Sequence, residues 1–396
     1  MIDRTYNVPS NTGLPSSQLI AMTPPSQYGQ ISFLQKLKVY SLATIALPLY
    51  LLWTAIAYPF SPTLRRKTLK LSISHARARF VTDQLSVPEL QFIAGLGVDI
   101  CKQWAKKNKQ PIDIDNLPKE GARLLWIGPK RTDNVIFYCH GGGFVLPFWD
   151  SFLTFWRHAQ VELEARNIYV GVVLMSYNLI PPGKFPSQLR EAKSGLEHLF
   201  KLGVKPENIL LAGDSAGGNL VLQIFSHLLH PLVSVGHINF PTETPSRFRG
   251  AFLSSPWVSP SGDIGMGPAS NNKTDIIAAN TYQAWGKIPL KDVPEADLAF
   301  MEPSKAPKTW FSGIEKLVER ILVTSGEAEC ITDSHVQFHE EHLKEQHPDV
   351  KFVVQKDGVH DSVFFELALE KRPVQELAGV IVDWLADAFG EGTSEA

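Results

Sequence analysis

Gly213-Asp214-Ser215-Ala216-Gly217 follows the apolar stretch Ile209-Ala212 and precedes a helical pattern. Glycine on either side of Ser215 lets the chain turn sharply from a strand into a helix and lifts the serine hydroxyl above the sheet. From average composition, a GxSxG pattern arises by chance about 0.1 times in a chain of this length. The stretch therefore predicts a nucleophile elbow built around Ser215.

A second glycine motif, His140-Gly141-Gly142-Gly143, comes directly after the apolar stretch Val135-Cys139. Consecutive glycines expose backbone N–H groups with no side chain in the way, and such groups stabilise a developing oxyanion. By chance the motif is expected about 0.004 times in such a chain. Two purely structural glycine turns are the alternative, but the order of the two motifs and their places after strands favour a catalytic pair.

A seryl nucleophile needs a base, and in this arrangement the chain order is serine, acid, histidine. His360 follows the strand pattern Lys351-Gln355 on a loop that can turn toward Ser215, and it is the predicted base. The spacing of His335 and His339 could hold a metal, but no third ligand accompanies them. Their charged surroundings favour a solvated helix face.

The acid is expected in the loop after the stretch Ile321-Thr324, where Glu327, Glu329 and Asp333 compete. The distance from the strand end favours Glu329, whereas Asp333 fits the first turn of the helix that follows. The residues themselves leave the choice between Glu329 and Asp333 open.

Short apolar stretches alternate with helical patterns from about Arg123 onward, which predicts an α/β fold with a mostly parallel sheet and helices on both faces. Residues 258–314 interrupt the alternation and are expected to form an insertion over one end of the sheet. The predicted strands are Val135-Cys139, Ile168-Leu174, Ile209-Ala212, Gly250-Leu253, Ile321-Thr324 and Lys351-Val354.

These motifs resemble the hormone-sensitive-lipase-like branch of the α/β-hydrolases over roughly residues 134–384. Tyr177-Asn178-Leu179-Ile180-Pro181 and Phe185-Pro186 look like two further landmarks of that branch. The resemblance implies an α/β-hydrolase fold with a helical lid. It also implies the nucleophile Ser215, the acid Glu329, the base His360 and the oxyanion donors Gly142, Gly143 and Ala216.

The chain departs from the family pattern at Glu329, where Asp is usual, and at Cys330, where Pro is usual. With its hydrophobic leading segment it looks most similar to fungal enzymes of the steryl acetyl hydrolase type, in which that segment is a membrane anchor. Related hydrolases act in fungal secondary metabolism. The resemblance implies that a small apolar ester, an acetylated sterol or a secondary metabolite, is hydrolysed through an acyl-enzyme.

Two other functions stay open. An acyl-transfer or cyclising enzyme would use the same triad with a substrate hydroxyl or amine in place of water. A non-catalytic ligand-binding protein would lack a triad member, and His360 is present. We expect no cofactor and no metal, because acyl-enzyme chemistry requires neither.

Six aromatic residues crowd the stretch after the glycine-rich loop and favour an apolar substrate pocket. Packing of a helix into the core is the alternative, which we expect for about half of them. The six are Phe144, Phe148, Trp149, Phe152, Phe155 and Trp156.

The stretch Val39-Leu64 contains no charged residue. As a helix rising about 1.5 Å per residue, Val39-Phe60 reaches about 33 Å, enough to cross the hydrocarbon layer. The alternative is a buried helix pair, broken at Pro48 and Pro59, that caps the catalytic part. We favour membrane insertion as a single span, in the endoplasmic reticulum, because the charge-free length passes the usual threshold.

The sequence leaves open which side of the membrane the catalytic domain occupies. Basic residues after the span place the remainder in the cytosol by the positive-inside rule, whereas Asn272-Lys273-Thr274 is a glycosylation sequon that only a lumenal chain would use. The predicted organisation is a flexible polar tail (1–38), the hydrophobic segment (39–64), a helical cap region (65–122) and a catalytic domain (123–390) with the cap insertion 258–314.

The composition of the chain excludes some classes of binding partner and site. The chain has 396 residues, 44% of them hydrophobic, which is ample for a sizeable core. Lys and Arg total 38 against 40 Asp and Glu, giving a net charge of −2 that disfavours nucleic acid as a partner. Cys101, Cys139 and Cys330 form no CxxC pair, which argues against a zinc site and a disulfide framework. Nothing in the sequence indicates the oligomeric state.

Overall fold

The computed structural model describes residues 27–117, 121–241, 247–267, 271–369 and 376–390. Residues 1–26 of the predicted polar tail (1–38) lie outside the described residues. The flexible-tail assignment is corrected for residues 33–38, which lie in a capped helix. Eight strands of the described chain form one sheet. They are β1 Ile112–Leu117, β2 Ala122–Ile127, β3 Val135–Cys139, β4 Gly171–Ser176, β5 Ile209–Asp214, β6 Gly250–Ser254, β7 Ile321–Gly326 and β8 Val350–Gln355.

The strand order across the sheet is β1-β2-β4-β3-β5-β6-β7-β8. Pairs from β4 through β8 are parallel, and β2 pairs antiparallel with both β1 and β4. All six strands predicted from apolar stretches are present, although β4 begins at Gly171 rather than at Ile168. The predicted α/β-hydrolase sheet, mostly parallel with helices on both faces, is confirmed.

The sheet begins earlier along the chain than the predicted boundary at residue 123. Helices occupy the cap region only as far as Asn108, and Ile112–Leu117 then forms the edge strand β1. The assignment of Ile112–Leu117 to a helical cap is therefore corrected. Ile112 and Ile114 alternate with Asp113 and Asp115, a period of two that suits a half-exposed edge strand.

Thirteen helices surround the sheet in the described residues. They are α1 Phe33–Ser41, α2 Leu47–Ala57, α3 Leu69–Gln84, α4 Val87–Ala94, α5 Gly97–Asn108, α6 Asp150–Glu164, α7 Ser187–Lys201, α8 Ser215–Leu229, α9 Ala279–Gly286, α10 Leu298–Met301, α11 Thr332–Phe338, α12 Ser362–Leu369 and α13 Glu376–Gly390. Side chains of β3 alternate between two buried clusters, one reaching α7 and α8 and the other α6 and α13. This alternation places helices on both faces and leaves the carboxyl ends of the strands for the site.

The predicted hydrophobic segment, 39–64, lies mostly in one continuous helix, Phe33–Phe60, of 28 residues, which begins within the predicted tail and ends before residue 64. A wider π-helical turn at Leu42–Ala46 precedes Pro48 and accommodates the proline's missing N–H, so the helix is not broken there. Of its most apolar 18-residue window only 11% is buried, which disagrees with the buried-pair alternative. By length and composition this helix is able to cross a membrane.

One stripe of that helix nevertheless contacts the rest of the protein. The Lys38 ammonium lies 2.8 Å from the Glu89 carboxylate on α4, and the Tyr50 ring lies 5.2 Å from the Phe80 ring on α3. The other faces expose large apolar side chains, among them Phe33, Leu34, Leu37, Ile45, Leu49, Leu52, Trp53, Ile56 and Phe60.

Candidate active site

Ser215 sits at the turn between β5 and α8, in the left-handed conformation with φ of 47°. A non-glycine residue rarely adopts this conformation, and the strain is typical of a nucleophile elbow. A Cβ on Gly213 would lie 2.4 Å from the backbone of Gly217, and one on Gly217 would lie 2.0 Å from the Cys139 carbonyl oxygen. Both glycines are therefore required for the turn that presents Ser215.

The glycine-rich loop after β3 lies against the elbow. Asp214, the residue before Ser215, accepts hydrogen bonds from the Tyr138 hydroxyl and from the Gly141 backbone N–H, the latter at 2.9 Å. Gly142 and Gly143 have φ of 95° and 62° and line the same cavity as Ser215. Among the described residues, no acceptor bonds the N–H groups of these two glycines, so both are available to a substrate.

The third expected oxyanion donor is Ala216, the second residue of α8. The first N–H groups of a helix have no acceptor within it and carry the positive end of the helix dipole. Ala216 is fully buried directly beside the nucleophile. Its N–H thus lies in the first turn of α8 beside Ser215, where attack on an ester would develop negative charge on the substrate carbonyl oxygen.

A ring pair behind the glycine-rich loop was not anticipated from the sequence. The Tyr177 hydroxyl donates to the His140 carbonyl oxygen at 2.6 Å, and the two rings stack with centroids 4.2 Å apart. Burial lowers the pKa of His140 to about 4, so its imidazole is neutral. The landmark tyrosine of the sequence comparison therefore holds the loop in place.

His360 and Glu329 are brought together below the cavity. The imidazole Nδ1 lies 2.8 Å from Glu329 Oε2, and both side chains are almost fully buried. The other carboxylate oxygen accepts hydrogen bonds from the Ser255 and Ser325 hydroxyls, at 3.0 and 2.8 Å, and from the Gly326 N–H. Burial alone would raise the pKa of Glu329, but His335 and His360 outweigh it and hold that pKa far below its usual value.

The competing carboxylates lie elsewhere. Asp333 is exposed in the first turn of α11, and Glu327 is exposed with Oε2 accepting the Asp357 N–H at 3.0 Å. Neither contacts His360 in the described structure. The geometry therefore places Glu329 at the imidazole, as the distance from the strand end favoured.

The expectation that His335 and His339 form a solvated helix face is wrong. His335 is completely buried, with Nδ1 2.8 Å from the Ser325 hydroxyl and 3.5 Å from Glu329 Oε1, and His339 is also buried. Charged neighbours on the exposed side of the helix masked this inward side. His335 thus lies against Ser325 and the acid Glu329.

Asp275, from the insertion, ties the catalytic loops together and was missed. Its Oδ1 accepts the His360 backbone N–H at 3.0 Å, and its Oδ2 accepts the Cys330 N–H at 2.8 Å. One buried carboxylate therefore fixes the loop of the base and the loop of the acid. It lies far before His360 in the chain, and no local pattern marks it.

Asp361 lies on the opposite side of the imidazole from Glu329. Its Oδ2 is 3.3 Å from His360 Nε2, the nitrogen that a base would turn toward Ser215, and its Oδ1 accepts the Ser254 hydroxyl at 3.0 Å. Burial lowers the pKa of His360, but Asp361, Glu329 and Asp275 outweigh it and raise that pKa above its usual value. The only sequence signal for Asp361 is its position directly after His360.

The active-site cavity has a volume of about 80 Å³. Ser215 and His360 line it together with Ala78 and Thr82 of α3 and with residues of the insertion such as Tyr282 and Trp285. Helix α3 and the insertion thus form the lid over the sheet. Of the six aromatic residues after the glycine-rich loop, Phe148, Trp149 and Phe152 line the cavity, whereas Phe144, Phe155 and Trp156 are buried outside its lining.

Residues 136–364, more than half of the chain, match the family described as alpha/beta hydrolase fold, and the chain belongs to it. Together with the relatives below, this makes the protein an ester hydrolase of the esterase and lipase type.

Curated relatives agree with that class. The Schizosaccharomyces pombe protein mug81, named provisionally as a steryl acetyl hydrolase, is 24% identical over 66% of this chain and 72% of its own length. Hormone-sensitive lipase of Ictidomys tridecemlineatus is 33% identical over 26% of this chain and 14% of its own. The carboxylesterase/phospholipase LipF of Mycobacterium tuberculosis is 30% identical over 32% and 34%.

Solved structures share the fold. A mutant of the esterase E40 superposes with a TM-score of 0.59 at 22% identity, covering 84% of this chain and 98% of the esterase. An esterase from the bacterial hormone-sensitive lipase family gives 0.58 at 21% identity, covering 82% and 98%. The chain thus shares the fold of these esterases.

Proposed function

We propose that the protein hydrolyses a carboxylic ester through an acyl-enzyme in which Ser215 is the nucleophile, His360 the base and Glu329 the acid. The observation that carries this proposal is the 2.8 Å contact between buried His360 Nδ1 and Glu329 Oε2, beneath a cavity that His360 shares with the strained Ser215. Serine, acid and histidine come in the chain order of the fold.

In the first step the Ser215 oxygen attacks the ester carbonyl carbon and His360 takes the hydroxyl proton. Glu329 holds the imidazole tautomer and stabilises the imidazolium. The N–H groups of Gly142, Gly143 and Ala216 bind the oxyanion. His360 then gives its proton to the departing alcohol, which leaves the acyl group on Ser215. A water molecule, deprotonated by His360, attacks this acyl group, releases the carboxylic acid product and restores the Ser215 hydroxyl.

The size of the cavity favours a short acyl group. Its volume of about 80 Å³ is well below the roughly 300 Å³ of pockets that enclose a drug-sized ligand. Its lining is mostly apolar and aromatic, so an acetyl group fits the interior and a bulky apolar alcohol extends toward the lid. We therefore infer an acetyl ester of a sterol or of a secondary metabolite as the substrate class.

Two hydrogen-bond donors in the lining have no partner among the described residues, the Tyr282 hydroxyl and Trp257 Nε1. A buried donor without an acceptor is unfavourable. A substrate oxygen beside the scissile ester would satisfy them, so we expect a substrate that is apolar except for one further acceptor.

The exposed helix Phe33–Phe60 supports membrane attachment, and a single span in the endoplasmic reticulum is the arrangement we propose. Asn272 is exposed, and its side-chain oxygen accepts the Ala279 N–H at 2.9 Å. Glycosylation there stays a prediction, and a glycosidase mobility shift would assign the side of the membrane.

The test is turnover of p-nitrophenyl esters from acetyl to decanoyl, followed by acetylated sterols, with the full chain in neutral detergent. We expect kcat/KM for the acetyl ester to exceed that for the decanoyl ester by about tenfold or more. Product analysis with added alcohol or amine separates hydrolysis from acyl transfer. A preference for the decanoyl ester, or an acylated alcohol as the main product, would contradict the proposal.

A further inference from the structure

A second cavity, of about 260 Å³, lies against the first half of helix α3, whereas the active-site cavity lies against its second half. We call the second cavity the basic cavity. Its walls are the end of α2, the turn at residues 63–67, the first half of α3 and the insertion segment Lys273–Asp275. It is lined by Tyr50, Trp53, Thr54, Ala57, Thr63, Leu64, Arg66, Lys67, Ser72, His75, Ala76, Arg79, Lys273, Thr274, Asp275, Ala328 and Asp357.

The floor of the basic cavity presents a buried donor. His75 is 7% exposed, and Lys67 Nζ lies 3.3 Å from its Nδ1. Because an ammonium only donates, Nδ1 is the acceptor and the ring hydrogen is on Nε2. His75 Nε2 has no partner among the described residues, so this N–H is available to an acceptor.

Cations outnumber carboxylates in the lining, four to two. Both carboxylates are already engaged: Asp357 accepts from Arg66 at 2.9 Å, and Asp275 accepts three backbone N–H groups, including that of His360. Lys67 and Lys273 remain to attract an anion. The basic cavity thus offers one unsatisfied hydrogen-bond donor and two ammonium groups to an anion.

The opposite wall is apolar and comes from α2, with Trp53, Tyr50 and Ala57. It lies at the end of the hydrophobic helix, next to the basic residues that follow the helix. We propose that the basic cavity binds a phosphate group, held by His75 Nε2, Lys67 and Lys273, with any attached apolar chain lying against α2. The proposal does not depend on ester hydrolysis.

The basic cavity also adjoins the catalytic loops. Thr274 donates to the Ala328 carbonyl oxygen at 3.2 Å, and Asp275 bonds the loops of Glu329 and His360. The same short segment therefore forms a wall of the basic cavity and holds the acid and the base. The basic cavity is nevertheless separate from the active-site cavity, so phosphate bound there should not compete with the ester.

The test uses the full chain in neutral detergent and isothermal titration calorimetry with inorganic phosphate, dihexanoyl phosphatidic acid and dihexanoyl phosphatidylcholine. We expect saturable binding of phosphate or phosphatidic acid, without a rise in KM for p-nitrophenyl acetate. Lys67→Met and His75→Phe should each weaken it by about tenfold, the loss of one charge-assisted hydrogen bond. Arg65→Met, a neighbouring charge outside the cavity, should leave it within about twofold.

Lys273→Met removes a proposed phosphate ligand from an exposed position and should also weaken binding. This variant keeps the test valid if the other variants unfold. Tighter binding of phosphatidic acid than of phosphate identifies a lipid headgroup as the source, and equal binding identifies free phosphate; both support the site. Equal losses in Arg65→Met and Lys67→Met, competition with the ester, or equal binding of phosphatidylcholine would overturn it.

Discussion

Two cavities of different character lie along helix α3. Ala78 and Thr82, in its second half, line the active-site cavity, whose acid Glu329 has both oxygens bonded within the protein. His75, in its first half, lines the basic cavity, where a buried donor has no partner among the described residues. The acid of the first site is held before a substrate arrives, whereas the donor of His75 is satisfied only by a ligand.

This difference follows from what each site must do. Catalysis depends on donors and dipoles that are already oriented when charge develops, so internal hydrogen bonds hold them. Binding of an anion depends on donors that nothing else satisfies.

Ser215→Ala should reduce ester turnover by about 10⁴-fold or more, because no other hydroxyl occupies the elbow. Covalent labelling by an organophosphonate probe should disappear as well. The measurement is kcat with p-nitrophenyl acetate alongside circular dichroism to confirm folding. Labelling that persists in this variant would remove Ser215 as the nucleophile.

Glu329→Gln should lower kcat by about 10²- to 10⁴-fold with little change in KM, because the amide keeps the size of the side chain but cannot stabilise the imidazolium. Asp333→Asn is the matched control, a carboxylate slightly later in the chain that is exposed in α11. Steady-state kinetics of both variants decide the matter. A crippled Asp333→Asn beside a near-normal Glu329→Gln would reverse the assignment.

Features that depend on local backbone were predictable. The elbow at Ser215 and the loop at Gly142 and Gly143 require glycine at fixed positions, and the parallel strands are short apolar stretches between helices. The edge strand β1 was missed because Asp113 and Asp115 interrupt its apolar residues. Such alternation is a weak signal when the strand is only half buried.

Features that depend on distant contacts were not predictable. Asp275 reaches His360 from the insertion, and the inward side of His335 is set by packing beneath Glu329 rather than by its own helix. Charge on the exposed side of that helix pointed to solvent. Only the folded chain brings these groups together.

Asp361→Asn should shift the acid limb of kcat/KM downward by about one pH unit. The base must be neutral to accept the Ser215 proton, and a carboxylate at Nε2 favours the imidazolium, so removing that charge lowers the pKa of His360. Glu329, Asp275 and the ring edge of Tyr282 still face the imidazole. Residue 361 has a φ of 52°, a left-handed conformation that asparagine also tolerates.

The control is Asp357→Asn, a carboxylate on the same loop that bonds Arg66 and does not touch the imidazole. Its pH profile should match that of the unaltered protein. If the acid limb stays in place in Asp361→Asn, this carboxyl group is already neutral beside His360 and does not tune the base.

The smallest effect on chemistry is expected from the exposed face of α2. Leu49, Leu52 and Ile56 are 62%, 57% and 53% exposed. Replacing all three with serine removes several kcal/mol of transfer free energy into lipid. None of the three lines the active-site cavity, so kcat/KM for a soluble ester should stay within about twofold. The protein should move from the carbonate-resistant membrane fraction to the soluble fraction.

The control replaces the exposed residues Val161, Leu202 and Val233, which lie elsewhere on the surface, with serine. Equal release by both triple variants would show that general surface hydrophobicity, rather than this helix, holds the protein to membranes.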